Sequence, residues 1–186
     1  MAELEDLTGP FKPDLRFDDL SKPFLLRIME EWQYAWLTLS GSWYESVKKR
    51  YGSEVANACE VESWVDMAGK VNPRYPKLAN IEIKTVLDSL KAAQLPLDNT
   101  TQTGLFPATY EIISPNHVIL TVQHCVTLRF MEKKAPERIP HVCHVLEKPC
   151  MEKYFLNPRL KVTPLKLPPR QSPDDIACQW DLSLED

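Results

Sequence analysis

Apolar side chains recur first with the period of a helix and later with the period of a strand. Between residues 25 and 39 they are spaced by four, three, four and three positions, which places them on one helical face. They are Leu25, Met29, Trp32, Trp36 and Leu39. Ser21 and Pro23 precede this stripe and suit the N-cap and the first turn of a helix. The pattern therefore predicts that an amphipathic helix begins near residue 21.

More helical segments are expected after this first one. Gly41 interrupts the pattern, and a second helical piece ends at Gly52. Ser53 can cap a third helix, with Glu60 on its wet side. A fourth helix is predicted over residues 78–93 from its spacing of apolar residues. Its core candidates are Leu78, Ile81, Val86, Leu87 and Leu90.

The period changes to two after residue 107. The turn Ser114-Pro115-Asn116-His117 separates the first two predicted strands, because Pro and Asn favour turn positions. The predicted elements are strands at 108–113, 118–126, 159–165 and 177–184, with a helix from about Pro140 to Tyr154. In the last strand Cys178, Trp180, Leu182 and Leu184 face in. The order predicts an α+β fold: N-terminal helices packed on a C-terminal antiparallel sheet, with an inserted cysteine-bearing helix.

Length and composition indicate one domain. A chain of 186 residues with 44% apolar content can bury a core of its own. Residues 1–20 mix acidic residues with Gly9, Pro10 and Pro13 and show no sustained period. We expect them to form a loose N-terminal arm or to lie over the surface. Residues 21–186 are expected to form the single α+β domain.

Charge and hydropathy exclude several classes of partner. The net charge is −4 and the basic residues are scattered, which disfavours binding to nucleic acid. No apolar run approaches the roughly 18 residues of a membrane span. The acidic N-terminus lacks the basic start and the apolar centre of a secretory signal. A cytoplasmic location is therefore expected, with the five cysteines reduced.

Four of the five tryptophans lie in the first three helical segments. They are Trp32, Trp36, Trp43 and Trp64. Two interpretations are open. The tryptophans could form a large aromatic core, or they could wall a pocket for a flat or apolar ligand, because such pockets are lined mainly by apolar and aromatic side chains.

Residues 141–150 hold two thiols, two imidazoles and a carboxylate. These groups bind borderline metals or act as nucleophile and base. Cys125 and Cys178 can join Cys143 from two strands. Cys150 would lie roughly 10 Å from Cys143 on an unbroken helix, too far to share one zinc ion. Glu147 is a better companion at i+4. The alternative is that the cysteines are buried as small hydrophobes.

Several blocks resemble an uncharacterised prokaryotic family of unknown function over residues 20–184. The N-terminal blocks are Trp32-Gln33-Tyr34-Ala35-Trp36-Leu37, Gly41-Ser42-Trp43-Tyr44 and Tyr51-Gly52. The C-terminal blocks are His124-Cys125, Pro140-His141-Val142-Cys143, Leu167-Pro168-Pro169 and Cys178-Gln179-Trp180. That family is in turn similar to the 4-vinyl reductase domain and to the L-2-amino-thiazoline-4-carboxylate hydrolase family.

The resemblance implies a zinc ion near an apolar ligand pocket, and a homodimer formed through the domain. Cys143 and Cys178 would be zinc ligands, with Cys125 as a third candidate. The family pattern has a cysteine where this chain has Leu167, which cannot bind metal. The site would then lack one ligand, or the metal would be lost.

Three functions follow as expectations. The first is a cytoplasmic small-molecule-binding domain, with a pocket walled by the four tryptophans beside the zinc. The second is a metal- or thiol-dependent hydrolase of a small sulfur- or nitrogen-containing ring, with Glu147 or His144 as general base. The third is a structural or interaction domain whose thiols are inert.

Overall fold

The computed structural model describes residues 3–96 and 105–184, and its N-terminal helices precede an antiparallel sheet, as predicted for an α+β fold. The helices are α1 (Lys22–Val71), α2 (Arg74–Ala79), α3 (Val86–Ala93), α4 (Val126–Lys134) and α5 (Glu147–Tyr154), with a π-helix at His141–Leu146. The strands are β1 (Ala108–Ser114), β2 (His117–Val122), β3 (Leu160–Lys166) and β4 (Cys178–Leu184). Short 3-10 turns lie at Phe17–Asp19 and Pro136–Arg138.

Helix α1 is a hairpin that folds back on itself at Gly52. The backbone there has φ 86° and ψ 169°, a conformation that essentially only glycine adopts. We call residues 22–51 the first arm and residues 53–71 the second arm. The Tyr44 hydroxyl donates a hydrogen bond of 2.8 Å to Asn57 Oδ1. In a straight helix these two residues would lie about 20 Å apart, so the arms run side by side.

The predicted helix end at Gly52 is confirmed, whereas the predicted interruption at Gly41 is wrong. Gly41 lies inside the first arm, which continues through it. A glycine in a helix interior costs only about 1 kcal/mol relative to alanine, and neighbouring turns outweigh that cost. Ser21 is the N-cap of α1, as predicted, and its hydroxyl accepts a bond from the Phe24 amide at 3.3 Å.

The chain before α1 lies against the start of the first arm. The Leu4 amide donates to the Asp19 carbonyl at 2.8 Å, and the Ser21 amide donates to the Leu4 carbonyl at 2.9 Å. Arg27 donates from Nη2 to the Glu5 carbonyl at 2.7 Å. These bonds attach the N-terminal segment to the domain next to the N-cap of α1.

The helix predicted over residues 78–93 is two separate helices. Asn80 adopts the left-handed conformation after α2, with φ 54°. Thr85 and Asp88 then form a capping box at the start of α3, in which each side chain accepts a bond from the other residue's amide. Leu78, a predicted core residue, is 80% exposed, because it lies on α2 and not on the buried face of α3.

The sheet has strand order β1-β2-β4-β3, and all neighbouring strands are antiparallel. Its buried face packs on α3. The centre of this core consists of Val86, Leu90, Ala93, Val118, Leu120, Phe155, Val162, Trp180 and Leu182. The inward positions predicted for the last strand are confirmed at Trp180 and Leu182, both of which have no exposed surface.

A helix that the sequence pattern missed follows the second strand. The strand predicted over 118–126 ends at Val122, and α4 begins at Val126. Cys125 is therefore not at a strand end. It is the N-cap of α4, and its Sγ accepts a bond from the Leu128 amide at 3.3 Å. A cysteine N-cap is outside the usual Ser, Thr, Asp and Asn signal.

A second core joins α1, α4, the π-helix and α5. Its buried members are Leu128, Met131, Val142, Leu146, Cys150 and Ala177. The cysteine-bearing helix predicted from Pro140 to Tyr154 is present, as the π-helix followed by α5. Pro149 has no amide hydrogen for the Val145 carbonyl, and the chain just before it is π-helical. No helix of residues 3–96 and 105–184 is both long and apolar enough to cross a membrane.

Candidate functional site

A groove of about 300 Å³ runs between the two arms of α1 and is open to solvent. The first arm contributes Trp36 and Trp43, and the second arm contributes Trp64. Trp36 meets Trp64 edge to face, with ring centroids 5.9 Å apart. Leu39 and Met67 complete the apolar walls. The volume is at the lower end of the range for small-molecule pockets.

The groove has few polar groups. Ser40 on the first arm and Ser63 on the second arm supply hydroxyls, which can both donate and accept hydrogen bonds. No charged side chain is among the described residues that line it. Because an unpaired charge is costly to desolvate, this lining favours a neutral, flat, apolar ligand with one or two hydrogen-bonding groups.

The structure brings three of the four candidate tryptophans to this groove. Trp32 lies outside it, with its ring edge-on to Phe17 at 5.9 Å, and is 56% exposed. The interpretation of these tryptophans as a buried core is wrong for the first arm, because Trp36 is 45% and Trp43 is 39% exposed. The tryptophan at the centre of the core is Trp180 on β4.

The predicted thiol ligands lie on three elements, and Cys178 packs against the core of the sheet while the other two pack against the second core. Cys125 caps α4, Cys143 lies on the π-helix and Cys178 begins β4. Cys178 Sγ accepts a bond from Trp180 Nε1 at 3.2 Å. All five cysteines of the chain lie in the described part and are free. Cys125 and Cys143 pack against the second core, and Cys150 is part of it.

Burial sets the protonation of these thiols. It raises the pKa of Cys125 to about 11 and the pKa of Cys178 to about 12. It also raises the pKa of Cys143, and the charge of Glu147, together with the charges that Cys125 and Cys178 carry once deprotonated, raises it further. These four groups are therefore close enough to act on one another electrostatically. Near neutral pH the three thiols are protonated and weakly nucleophilic.

The donor groups do not fit a zinc ion as the structure places them. Within residues 3–96 and 105–184, no three His, Cys, Asp or Glu side chains are arranged to hold a metal ion. A zinc site needs such a set at about 2.0–2.3 Å from one point. Zinc bound by Cys125, Cys143 and Cys178 stays a prediction, and no chemical step is derived from it.

The two candidate general bases lie at the edge of the thiol region. His144 is exposed on the π-helix, and its Nε2 lies 2.6 Å from the Pro168 carbonyl oxygen, so this nitrogen carries the proton and donates. Glu147 is half-buried and begins α5. Its charge raises the pKa of the cysteines around it. A base role for either residue stays a prediction.

Trp64 connects the groove with the thiol region. It lines the groove, and it also packs against the second core, as do Cys125 and Cys143. The sequence predicted that the aromatic pocket lies beside the thiols. In the structure, Trp64 of the second arm is the side chain that both lines the groove and packs against the core that the thiols contact. A ligand in the groove would contact Trp64 and not the thiols themselves.

A buried ionic cluster under the hairpin was missed by the sequence pattern. Glu60 was expected on the wet side, but its side chain is 8% exposed and pairs with Arg138 at 2.6 Å. His141 Nε2 lies 3.4 Å from the other oxygen of Glu60. The sequence did contain a signal for the burial of Glu60, because this residue lies four positions from both Ala56 and Trp64 and so shares their helical face. Its acidic side chain suggested solvent instead.

One comparison with known proteins identifies a family. The model of a family of unknown function, DUF6125, matches residues 18–184. The chain belongs to this family. The predicted resemblance to an uncharacterised family is confirmed at that level. No curated protein and no solved structure matches the chain.

Proposed function

We propose that this DUF6125 protein is a small-molecule-binding domain whose ligand site is the groove between the arms of α1. The observation that carries the proposal is the open groove of about 300 Å³ walled by Trp36, Trp43 and Trp64. Partly exposed tryptophans around a concave space offer large, rigid apolar surface at low entropic cost. The ligand class is a neutral, flat, apolar molecule that can hydrogen-bond to a hydroxyl.

The similarity to 4-vinyl reductase domains, which the sequence suggested, would agree with this function. This similarity belongs to the proposal alone, because the chain matches no curated protein and no solved structure. The geometry of the groove supports the proposal independently, because it depends only on the hairpin at Gly52 and on the three tryptophans.

The test is binding of a neutral, flat fluorescent probe, N-phenyl-1-naphthylamine, to the purified protein. Trp36→Ala and Trp43→Ala each remove a wall of the groove and are expected to weaken binding about tenfold, or about 1.4 kcal/mol. Trp32→Ala is the matched control, because Trp32 is an exposed tryptophan of the same arm outside the groove. Equal losses in all three variants, or no binding to the parent protein, would overturn the proposal.

The zinc of the sequence prediction is tested separately. If Cys125, Cys143 and Cys178 bind zinc after a rearrangement, the protein as isolated contains about one zinc per chain, and zinc raises its melting temperature. Cys143→Ser should then lose both the zinc and the rise in melting temperature. Cys59→Ser changes a cysteine of α1 that is not a predicted zinc ligand, and it should keep both. A metal-free protein without a thermal shift would exclude zinc and leave the groove proposal unchanged.

Burial of the thiols favours the interaction-domain alternative over a thiol hydrolase. The pKa values raised by burial at Cys125, Cys143 and Cys178 keep these sulfurs protonated, and the thiolate is the nucleophilic form. The exposed aromatic surface of the first arm also suits an interaction with another chain.

A further inference from the structure

Strand β1 forms an edge of the sheet at which the core face is only partly covered. It pairs with β2, and no other strand of residues 3–96 and 105–184 pairs with it. Tyr110 and Ile112 lie opposite Leu120 and Val118, and opposite residues share one face of a sheet. Leu120 and Val118 are 7% and 0% exposed, whereas Tyr110 is 37% and Ile112 is 60% exposed. The apolar face of the sheet therefore extends into solvent at β1.

The backbone groups of Tyr110 and Ile112 point away from β2. The Gln123 amide donates to the Pro107 carbonyl at 3.0 Å, in register with the pairing of β1 and β2. In an antiparallel pair, residues that bond to the partner strand alternate with residues that do not. The odd-numbered residues of β1 therefore bond to β2, and the even-numbered residues direct their N–H and C=O groups outwards. Tyr110 and Ile112 thus present a row of donors and acceptors, with about 6.8 Å between the two residues.

The opposite edge of the sheet, β3, is protected against such pairing. The Leu184 amide donates to the Asn116 carbonyl at 2.9 Å, so the even-numbered residues of β4 bond towards β2. Pro164 lies opposite Trp180 and therefore faces outwards, where it has no amide hydrogen to donate. Two lysines also lie on β3, and lysine on an edge strand opposes pairing. Strand β1 contains neither proline nor lysine, so it is the edge that can accept another strand.

The outward backbone groups of β1 select an extended polypeptide as the partner, because only a strand supplies donors and acceptors at the matching interval. Side chains of an added antiparallel strand that lie opposite Tyr110 and Ile112 point to the core face and are apolar there. Glu111 lies between these positions on the other face, is exposed and has no ion-pair partner in the described ranges. The residue opposite Glu111 comes within about 4.5 Å between Cα atoms, which favours a basic side chain.

This charge distinguishes a foreign segment from the segments that this chain could supply. Strand β1 contains no lysine or arginine, so a second copy of β1 has no basic side chain to place opposite Glu111. Residues 97–104, which precede β1 in the sequence, contain none either. The charge complementarity therefore favours a segment of another polypeptide.

We propose that β1 docks an extended segment of another protein, which adds a fifth, antiparallel strand to the sheet. The segment has apolar residues at alternate positions and a basic residue between them. Its backbone bonds to Tyr110 and Ile112, and its basic side chain pairs with Glu111. This docking site is separate from the groove between the arms of α1 and does not depend on the proposed function.

Binding of a fluorescein-labelled peptide to the purified full chain tests the docking. The probe is a capped peptide as long as β1, seven residues, in which valine and lysine alternate. In the proposed register the valine amides bond to β1, and the lysine amides face solvent. N-methylation of the valine amides should abolish binding, whereas N-methylation of the lysine amides should change affinity by less than about twofold. Equal binding of the two methylated peptides, or no binding of the unmethylated one, would overturn the proposal.

Substitutions on β1 test the side-chain part of the docking. Ile112→Lys places a charge on the core face of the edge and should weaken peptide binding at least about tenfold. Ile113→Lys is the matched control, because Ile113 is 54% exposed but lies at the irregularity of the register between Ile112 and Ser114. This control should bind like the parent protein. Equal losses in the two variants would contradict the docking.

Reversal of one charge tests the basic preference. Glu111→Lys should weaken binding of the valine–lysine peptide about fivefold at low ionic strength. A peptide with glutamate in place of lysine should bind this variant more tightly than it binds the parent protein. If the two peptides show the same preference in parent and variant, Glu111 does not select the partner and the proposed charge pairing is wrong.

Hydrogen exchange measured by NMR separates a foreign strand from other occupants of the edge. In the free protein the amides of Tyr110 and Ile112 should exchange fast and those of Thr109 and Glu111 slowly, and the peptide should slow the first two. Slow exchange at Tyr110 and Ile112 in a free monomer would show that the chain covers its own edge. A parent dimer that Ile112→Lys makes monomeric would assign the edge to a second copy. Either result would overturn the proposal.

Discussion

The Arg138 guanidinium lies 3.6 Å from the centre of the Tyr44 ring, stacked on the first arm of α1. The same side chain donates from Nη2 to Glu60 on the second arm at 2.6 Å. Arg138 therefore holds both arms of the hairpin, through a cation–π contact on one and an ion pair on the other. Its position in the turn before the cysteine-bearing helix joins the groove-forming hairpin to the rest of the domain.

Removing the charge of Glu60 should destabilise the protein strongly. Glu60→Gln leaves Arg138, whose side chain is only 13% exposed, without its counter-charge, and we expect a loss of roughly 3 kcal/mol in the free energy of unfolding. Urea unfolding followed by circular dichroism measures it. Glu54→Gln is the control, since Glu54 is exposed on the same arm, and should change stability by less than about 0.5 kcal/mol. Similar small effects in both variants would show that the pair contributes little.

Gly41 and Gly52, two of the three glycines of α1, should respond to alanine with opposite signs. Gly52→Ala forces a side chain into a backbone conformation with φ 86°, at a cost of about 1–3 kcal/mol. Gly41→Ala lies in regular helix with open space around it and should gain about 0.5–1 kcal/mol. Thermal unfolding of both variants distinguishes the hairpin from a continuous helix, in which the two substitutions would both stabilise.

The buried thiols should make the protein sensitive to alkali. The folded-state pKa values of Cys125 and Cys150 are raised by burial from 9.0 to about 11 and about 12. A raised pKa means that the folded state keeps its protons after the unfolded state has lost them. The free energy of unfolding is therefore unaffected by these thiols below about pH 9. As the pH rises from the unfolded to the folded pKa value, it falls by at most about 1.4 kcal/mol per pH unit for each thiol.

Chemical unfolding at a series of pH values above neutrality tests this dependence. Cys150→Ala should show a shallower alkaline fall than the parent protein, whatever its stability at neutral pH. Thiol titration of the native protein at neutral pH should be slow at the buried sulfurs and fast after unfolding, when all five cysteines are accessible. An unchanged alkaline slope in the variant would contradict the assignment.

Arg170 should not be replaceable by lysine. Its Nε and Nη2 donate to the two carboxylate oxygens of Glu132 at 2.8 and 2.6 Å. Its Nη1 donates to the carbonyl oxygens of Pro173 and Asp175. Lysine cannot reproduce this fork, so Arg170→Lys should cost roughly 2 kcal/mol. Arg129→Lys, at an exposed position of α4, is the matched control and should be nearly neutral.

The effect of Arg170→Lys on Glu132 can also be followed by NMR. The hydrogen bonds from Arg170 lower the pKa of Glu132. A lowered pKa contributes stability that is present above the unfolded value and is lost as the pH falls through the folded value. In Arg170→Lys the pKa of Glu132 should rise towards its ordinary range in an NMR titration. No change would mean that the pair is not formed in solution.

The sequence by itself determined the local elements whose signals are local. The N-cap at Ser21, the helix end at Gly52 and the alternation around Trp180 depend on neighbours a few residues away, and each was predicted. The change of period from helix to strand likewise predicted the α+β order. Three of the four candidate tryptophans do meet in one groove, and their binding of a ligand stays a prediction.

Only the tertiary structure decided which faces are buried. A helical stripe records which residues share a side, but not what covers that side, so Trp36 and Trp43 read as core candidates and lie half-exposed. Glu60 is buried because Arg138, 78 residues away, neutralises it. The direction in which the chain turns back at Gly52 brings Trp36 to Trp64. That turn, set by one backbone conformation that only packing can select, creates the groove.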